Sequence, residues 1–119
     1  MLLDLLLVCF VLWLAYAIAI FWLVFWRGPF AVTYSPFVAW WLRRLKMEAI
    51  TIGARVYLHR QNAVLSPSGF THEEFHFTQQ WRRRPLSFLP RYLWLLWRVG
   101  YDRHPDEQAA RAAAGEPLR

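Results

Sequence analysis

The longest pattern in the chain is a lack of polar positions. Residues 5–26 read LLLVCFVLWLAYAIAIFWLVFW without one charge. At ~1.5 Å per helical residue the run measures ~33 Å, enough for a hydrocarbon core of ~30 Å. A cleaved signal peptide needs a basic start, a shorter apolar core and small residues at its end. Here Asp4 precedes the run, and the run closes on Phe21-Trp22-Leu23-Val24-Phe25-Trp26. The pattern predicts a transmembrane anchor over residues 1–27, which Gly28-Pro29 ends.

Shorter patterns follow. Ser35-Pro36 suits an N-cap and first helical position, and predicts a helix to about Glu48. Phe37, Val38, Trp40, Trp41, Leu42 and Leu45 form its apolar side and Arg43, Arg44 and Lys46 its basic side, the composition of a helix lying on a membrane surface. Residues 50–58 alternate, with Ile50, Ile52, Ala54, Val56 and Leu58 on one side and Thr51, Gly53, Arg55 and Tyr57 on the other, and predict one strand. His59 falls on its polar side. Residues 61–70, with Ser66-Pro67-Ser68-Gly69, predict a loop. Thr71 and Glu74 are spaced as a capping box, and a helix should run from Thr71 to the basic Arg82, Arg83 and Arg84, stopped by Pro85. Residues 86–97 are apolar but too short to span; Pro90 should kink them or begin their second half, with one side in the core and Trp94 and Trp97 toward lipid. Gly100 ends this segment. Pro105 then opens a last helix, and Gly115 fits its C′ position. The fold class expected is mostly α with a short β element (α+β). A transmembrane anchor over 1–27 would lead to an interfacial amphipathic helix over 28–48, then a small domain over 49–119.

Composition sharpens the membrane reading. The chain has 119 residues, 57% of them apolar, with eight Trp and a net charge of +6. That length allows one domain. No Lys or Arg precedes the span, whereas Arg27, Arg43, Arg44 and Lys46 follow it. The positive-inside rule puts the N-terminus outside and the rest in the cytoplasm, with the basic surface toward anionic lipid. Trp22 and Trp26 suit an interfacial aromatic belt, and Trp40, Trp41, Trp94 and Trp97 contact with lipid or a partner. No nucleic-acid partner is expected, since the basic residues sit beside a span and no nucleic-acid module is recognisable. Cys9 is the single cysteine, so no intramolecular disulfide forms.

The chemistry concentrates in His72-Glu73-Glu74-Phe75-His76, an H-E-x-x-H. Positions i and i+4 of a helix share a face, so two imidazoles can hold one metal ion while Glu73 serves as general base. A catalytic zinc takes a third protein ligand. Asp102, Asp106, Glu107 and Glu116 are the acids that follow, and on spacing alone Glu107 reads as a carboxylate favouring a helix N-terminus ahead of a ligand. Gln79, seven residues after His72, shares the motif's face and is an outer-sphere candidate. Tyr101 and His104 are candidate oxyanion donors.

Four blocks in order extend this motif: Ile50-Thr51-Ile52-Gly53; His72-Glu73-Glu74-Phe75-His76-Phe77-Thr78-Gln79; Phe88-Leu89-Pro90-Arg91-Tyr92-Leu93; and Tyr101 through Ala110 with Pro105-Asp106-Glu107. About half the chain thus resembles a group of small bacterial and phage proteins with a minimal zincin-type domain. Members show a threonine–glycine strand, H-E-x-x-H-x-x-Q, an aromatic F-L-P-x-Y-L segment, and a helix opening N-P-F-E. The resemblance implies a zinc ion bound by His72, His76 and Glu107, with Glu73 as general base. His104 stands where Asn is usual, and Asp106 where Phe is usual. Two functions follow as expectations. One is a membrane-anchored zinc metallopeptidase-like protein. The other is a non-catalytic single-span accessory subunit of a larger membrane complex, with the zincin-like domain as a packing module.

Overall fold

The computed structural model describes residues 1–117; residues 118 and 119 of the expected 49–119 domain lie outside the described residues. The apolar run forms α1 (Leu2–Phe21), which widens into a π-helical turn over Trp22–Trp26. Together they make one helix, Leu2–Trp26, long and apolar enough to cross a membrane. The structure departs from a free anchor at its C-terminal half. Tyr16, Ala17, Ile20 and Val24 lie at helical spacing and face the rest of the chain, with Ile20 at 4% and Val24 at 2% exposure. Residues 1–27 are therefore not a separate packing unit.

Gly28 turns the chain at φ +117, and a strand that the pattern did not announce follows, β1 (Ala31–Thr33). It is too short for alternation to show. The interfacial helix expected over 28–48 is correspondingly shorter: α2 (Pro36–Arg44), with Ser35 at its N-cap. Its buried side is Ala39 and Leu42, whereas Phe37, Trp40, Trp41 and Leu45 are exposed.

The single strand expected over 50–58 is a hairpin, β2 (Ala49–Ile52) and β3 (Arg55–Leu58). Gly53 takes φ +59 in the two-residue turn, where positive φ at the first central position suits glycine. The turn reverses the chain and also its parity. Thr51 pairs opposite Val56 and Ala49 opposite Leu58, so these four share a face and Thr51 is buried. β1 runs parallel to β3, giving the order β1-β3-β2. The hairpin turn docks on the apolar helix: Ala54 N–H donates to the Leu23 carbonyl at 2.9 Å.

Helix α3 (Pro67–Phe75) begins earlier than the capping-box pattern suggests. Ser66 is the N-cap, its Oγ accepting from Gly69 N–H at 3.0 Å. Ser66-Pro67-Ser68-Gly69 is the cap and first turn rather than loop, and Thr71 sits mid-helix, donating to the Pro67 carbonyl. The helix continues as π-helix over His76–Trp81. In α4 (Phe88–Val99), Pro90 falls in the first turn, where its missing N–H has no intrahelical partner to lose, so no second half is needed. Phe88 and Tyr92 enter the core, while Leu93, Trp94 and Trp97 stay exposed. Helix α5 (Pro105–Ala113) closes the described chain. Ile20, Val24, Phe77, Trp81, Phe88 and Tyr92 meet in one core cluster.

Candidate metal centre

His72 lies in the last turn of α3 and His76 at its junction with the π-helix, and both are buried. Glu107 enters from the first turn of α5 at 3% exposure. His72 Nε2 is 2.9 Å from Glu107 Oε2. His76 Nε2 is 3.3 Å from the same oxygen and 3.2 Å from Oε1. Tyr92 O–H donates to Glu107 Oε1 at 2.7 Å. One ligand atom from each of the three residues falls within a 4.8 Å group that can hold a metal ion. Tetrahedral ligands ~2.0–2.1 Å from zinc lie ~3.3 Å apart, and the distances from each imidazole Nε2 to the Glu107 carboxylate are of that order.

The outer atoms of the two rings decide what the inner atoms offer. His72 Nδ1 is 2.7 Å from Glu116 Oε1, and His76 Nδ1 is 2.6 Å from Gln80 Oε1. Gln80 is oriented by its own Nε2, which donates to the Asp106 carbonyl at 3.0 Å. Carboxylate and amide oxygens accept, so both Nδ1 atoms carry hydrogen. Each neutral ring then turns an Nε2 lone pair toward Glu107. Two lone pairs and a carboxylate at these distances need a cation among them. Without a metal, protons serve. Burial is the largest influence on His76 and works to lower it, but the hydrogen bond and charge of Glu107, the charge of Glu73 and the bond to Gln80 together outweigh it and push His76 up to about 9. His72 is raised by the same balance of burial against Glu107. Glu107, which burial alone would raise, is held well below the usual carboxylate range by hydrogen bonds from His72 and His76.

Glu73, between the two histidines in the helix, is itself buried. Thr51 Oγ1 donates to its Oε2 at 2.6 Å. Burial pushes the Glu73 carboxyl up, more than His76 and the Thr51 hydrogen bond pull it down. The parity flip of the hairpin is what brings Thr51 here; Trp81 then fixes the strand, its Nε1 donating to the Thr51 carbonyl at 3.0 Å. Glu73, His76 and Glu107 line a cavity of about 120 Å³ whose walls also include Ile50, Ile52, Phe88 and Leu89. A second cavity, on the side of His72 and Glu116, is more polar and shares Glu73 and Tyr101 with the first.

The remaining candidates separate. Tyr101 lines both cavities, and burial, then Glu107, pushes its hydroxyl up. Gln79 is exposed and does not reach the cluster. The cause is the π-helix from His76, whose i→i+5 turn holds an extra residue and brings Gln80 onto the histidine face. His104 is fully buried; its Nδ1 accepts from Asp106 N–H as the cap of α5, leaving Nε2–H to donate to the Tyr92 carbonyl at 2.9 Å. With both nitrogens committed and the ring stacked on Tyr92 at 4.1 Å, His104 is a cap and not an oxyanion donor. Asp106 is a buried ion-pair partner, 3.0 Å from Arg91 Nη1 and 3.5 Å from Arg84 Nη2. His59 stays outside the cluster, its Nδ1 against the Glu48 carbonyl. Trp22, Trp26, Trp40, Trp41, Trp94 and Trp97 are all exposed. Thr51, Gln80, Tyr92 and Glu116 complete the cluster; the polar side of residues 50–58 and the acid at 116 were their traces in the sequence. Comparison with protein-family models, curated proteins and solved structures finds no match to this chain.

Proposed function

We propose that the chain is a membrane-anchored zinc-dependent peptidase carried by a minimal zincin-like domain. One observation carries this reading: two imidazoles with committed Nδ1 atoms converge their Nε2 atoms on the buried Glu107 carboxylate. Two nitrogens and one oxygen are a donor set that suits zinc and leaves a fourth position open. Bound there, zinc supplies a water of lowered pKa and a Lewis acid for a carbonyl. Glu73 stands beside this position with Oε2 held by Thr51. It takes the proton of the attacking water and hands it to the leaving amine. Its raised pKa brings it toward the operating range of a base that must also give the proton back. Tyr101 is the chain's candidate donor to the developing oxyanion. The apolar walls of the smaller cavity fit an apolar side chain of a peptide. The basic residues after the apolar helix orient the domain toward the cytoplasm, with the N-terminus outside.

The test is zinc content and peptide hydrolysis by the detergent-purified full chain beside His76→Ala and Glu73→Gln. The expected result is one zinc per chain in wild type and Glu73→Gln, none in His76→Ala, and hydrolysis in wild type alone. Absence of zinc from the folded wild type sinks the reading. The second reading, a single-span accessory subunit, draws on the exposed Trp94 and Trp97, at 57% and 75%, since exposed aromatic surface marks interfaces. Zinc without hydrolysis, together with co-purification of a larger membrane complex that survives Glu73→Gln, would favour it.

A further inference from the structure

Helix α5 does more than carry Glu107. Its C-terminal end closes with two backbone bonds, Gly115 N–H to the Ala112 carbonyl at 3.2 Å and Glu116 N–H to the Arg111 carbonyl at 2.9 Å. Gly115 sits at φ +71. These are the 5→2 and 6→1 bonds of a Schellman motif, with Gly115 at C′ and Glu116 at C″. The motif folds the chain back over the end of the helix, and the residue so returned meets His72: Glu116 Oε1 is 2.7 Å from Nδ1. His72 is buried, while Glu116 remains about one-third exposed, at 32% for its side chain.

We propose that Glu116 is a positioning residue of the metal centre, delivered by the Schellman cap of α5. It holds the His72 ring in the tautomer and rotation that aim Nε2 at the metal. One short helix thereby supplies a ligand from its first turn and the orienting carboxylate of a second ligand from its cap. Gln80 gives His76 the same service from the π-helix. The inference rests on the metal-site reading above. Its physical ground is that a ligating imidazole is more basic and better oriented when its other N–H donates to a carboxylate, and loss of such partners typically costs ~10–100-fold in metal affinity.

The test is competitive zinc titration of the full chain in detergent against a chromophoric chelator, for wild type, Glu116→Gln, Glu116→Ala and Gly115→Ala. Glu116→Ala is expected to bind zinc ~10–100-fold more weakly. Glu116→Gln, whose amide oxygen still accepts from Nδ1, should lose less. Gly115→Ala meets no atom within 4 Å and is strained only by its positive φ, so it should weaken zinc by moving Glu116. Melting of the metal-free proteins should place Glu116→Gln beside wild type, since its amide oxygen still accepts from the buried His72, which separates positioning from folding. Equal zinc affinity in wild type and Glu116→Ala overturns the inference while leaving the metal site standing. A folded wild type that binds no zinc overturns the metal site itself.

Discussion

At the scale of single residues, Glu73 and Thr51 form the most informative pair. Glu73→Gln keeps the shape of the side chain and the ligand set, so zinc should remain while kcat/KM falls by ~10²–10⁴-fold, the usual contribution of a positioned general base. Peptide hydrolysis at fixed zinc content measures it. Thr51→Val removes the donor to a buried carboxylate at nearly constant volume. Leaving a buried acceptor without its hydrogen bond costs ~1–3 kcal/mol, which denaturant unfolding should register together with a fall in activity. A Thr51→Val protein as stable and active as wild type would remove Thr51 from the site. The motif residues were legible because spacing alone puts His72 and His76 on one helical face. Their partners were not. Thr51 becomes a site residue only after the hairpin inverts the alternation around it, and Gln80 replaces Gln79 only because the helix widens after His76. Neither event leaves a mark in a hydrophobic pattern.

At the scale of elements, the hairpin and the apolar helix depend on each other through Gly53. A Cβ at this position would lie 2.6 Å from the Leu23 carbonyl oxygen, and the residue has φ +59. Gly100 also has positive φ, +82, but nothing lies within 4 Å of its would-be Cβ. Gly100→Ala should therefore cost only the backbone term, ~1–3 kcal/mol for its φ +82, ψ 172 conformation. Gly53→Ala should cost clearly more, because the turn must leave Leu23 and take Thr51 with it. Thermal melts of the two variants in one detergent separate these effects, and equal shifts would show that the docking of turn on helix carries little. The sequence revealed most helices here, since Pro at N1 and Gly at C′ punctuate them. It concealed β1, whose three residues are too few for a period, and the reversal at Gly53-Ala54, where the apolar alternation runs on through the turn.

At the scale of the whole molecule, the apolar helix belongs to two environments. Its first half, with Leu6, Phe10 and Leu14 exposed, touches no other part of the described chain's core, whereas Ile20 and Val24 are buried with Trp81 and Phe88. Composition sees one uniform run and so reads one anchor; packing divides it near Tyr16, whose O–H donates to the Leu86 carbonyl at 3.0 Å. Full burial of an Ile or Val side chain is worth ~1.5–3 kcal/mol, so these two alone match a sizeable part of the ~5–15 kcal/mol by which a small domain is stable. A chain lacking residues 2–14 should therefore lose its membrane span yet still fold and bind zinc. A chain lacking residues 2–26 should lose both fold and zinc. Circular dichroism melts and zinc content of the two truncations decide the matter. A folded, zinc-loaded product of the longer deletion would mean that the domain closes its core without the helix, and that the helix is an anchor and nothing else.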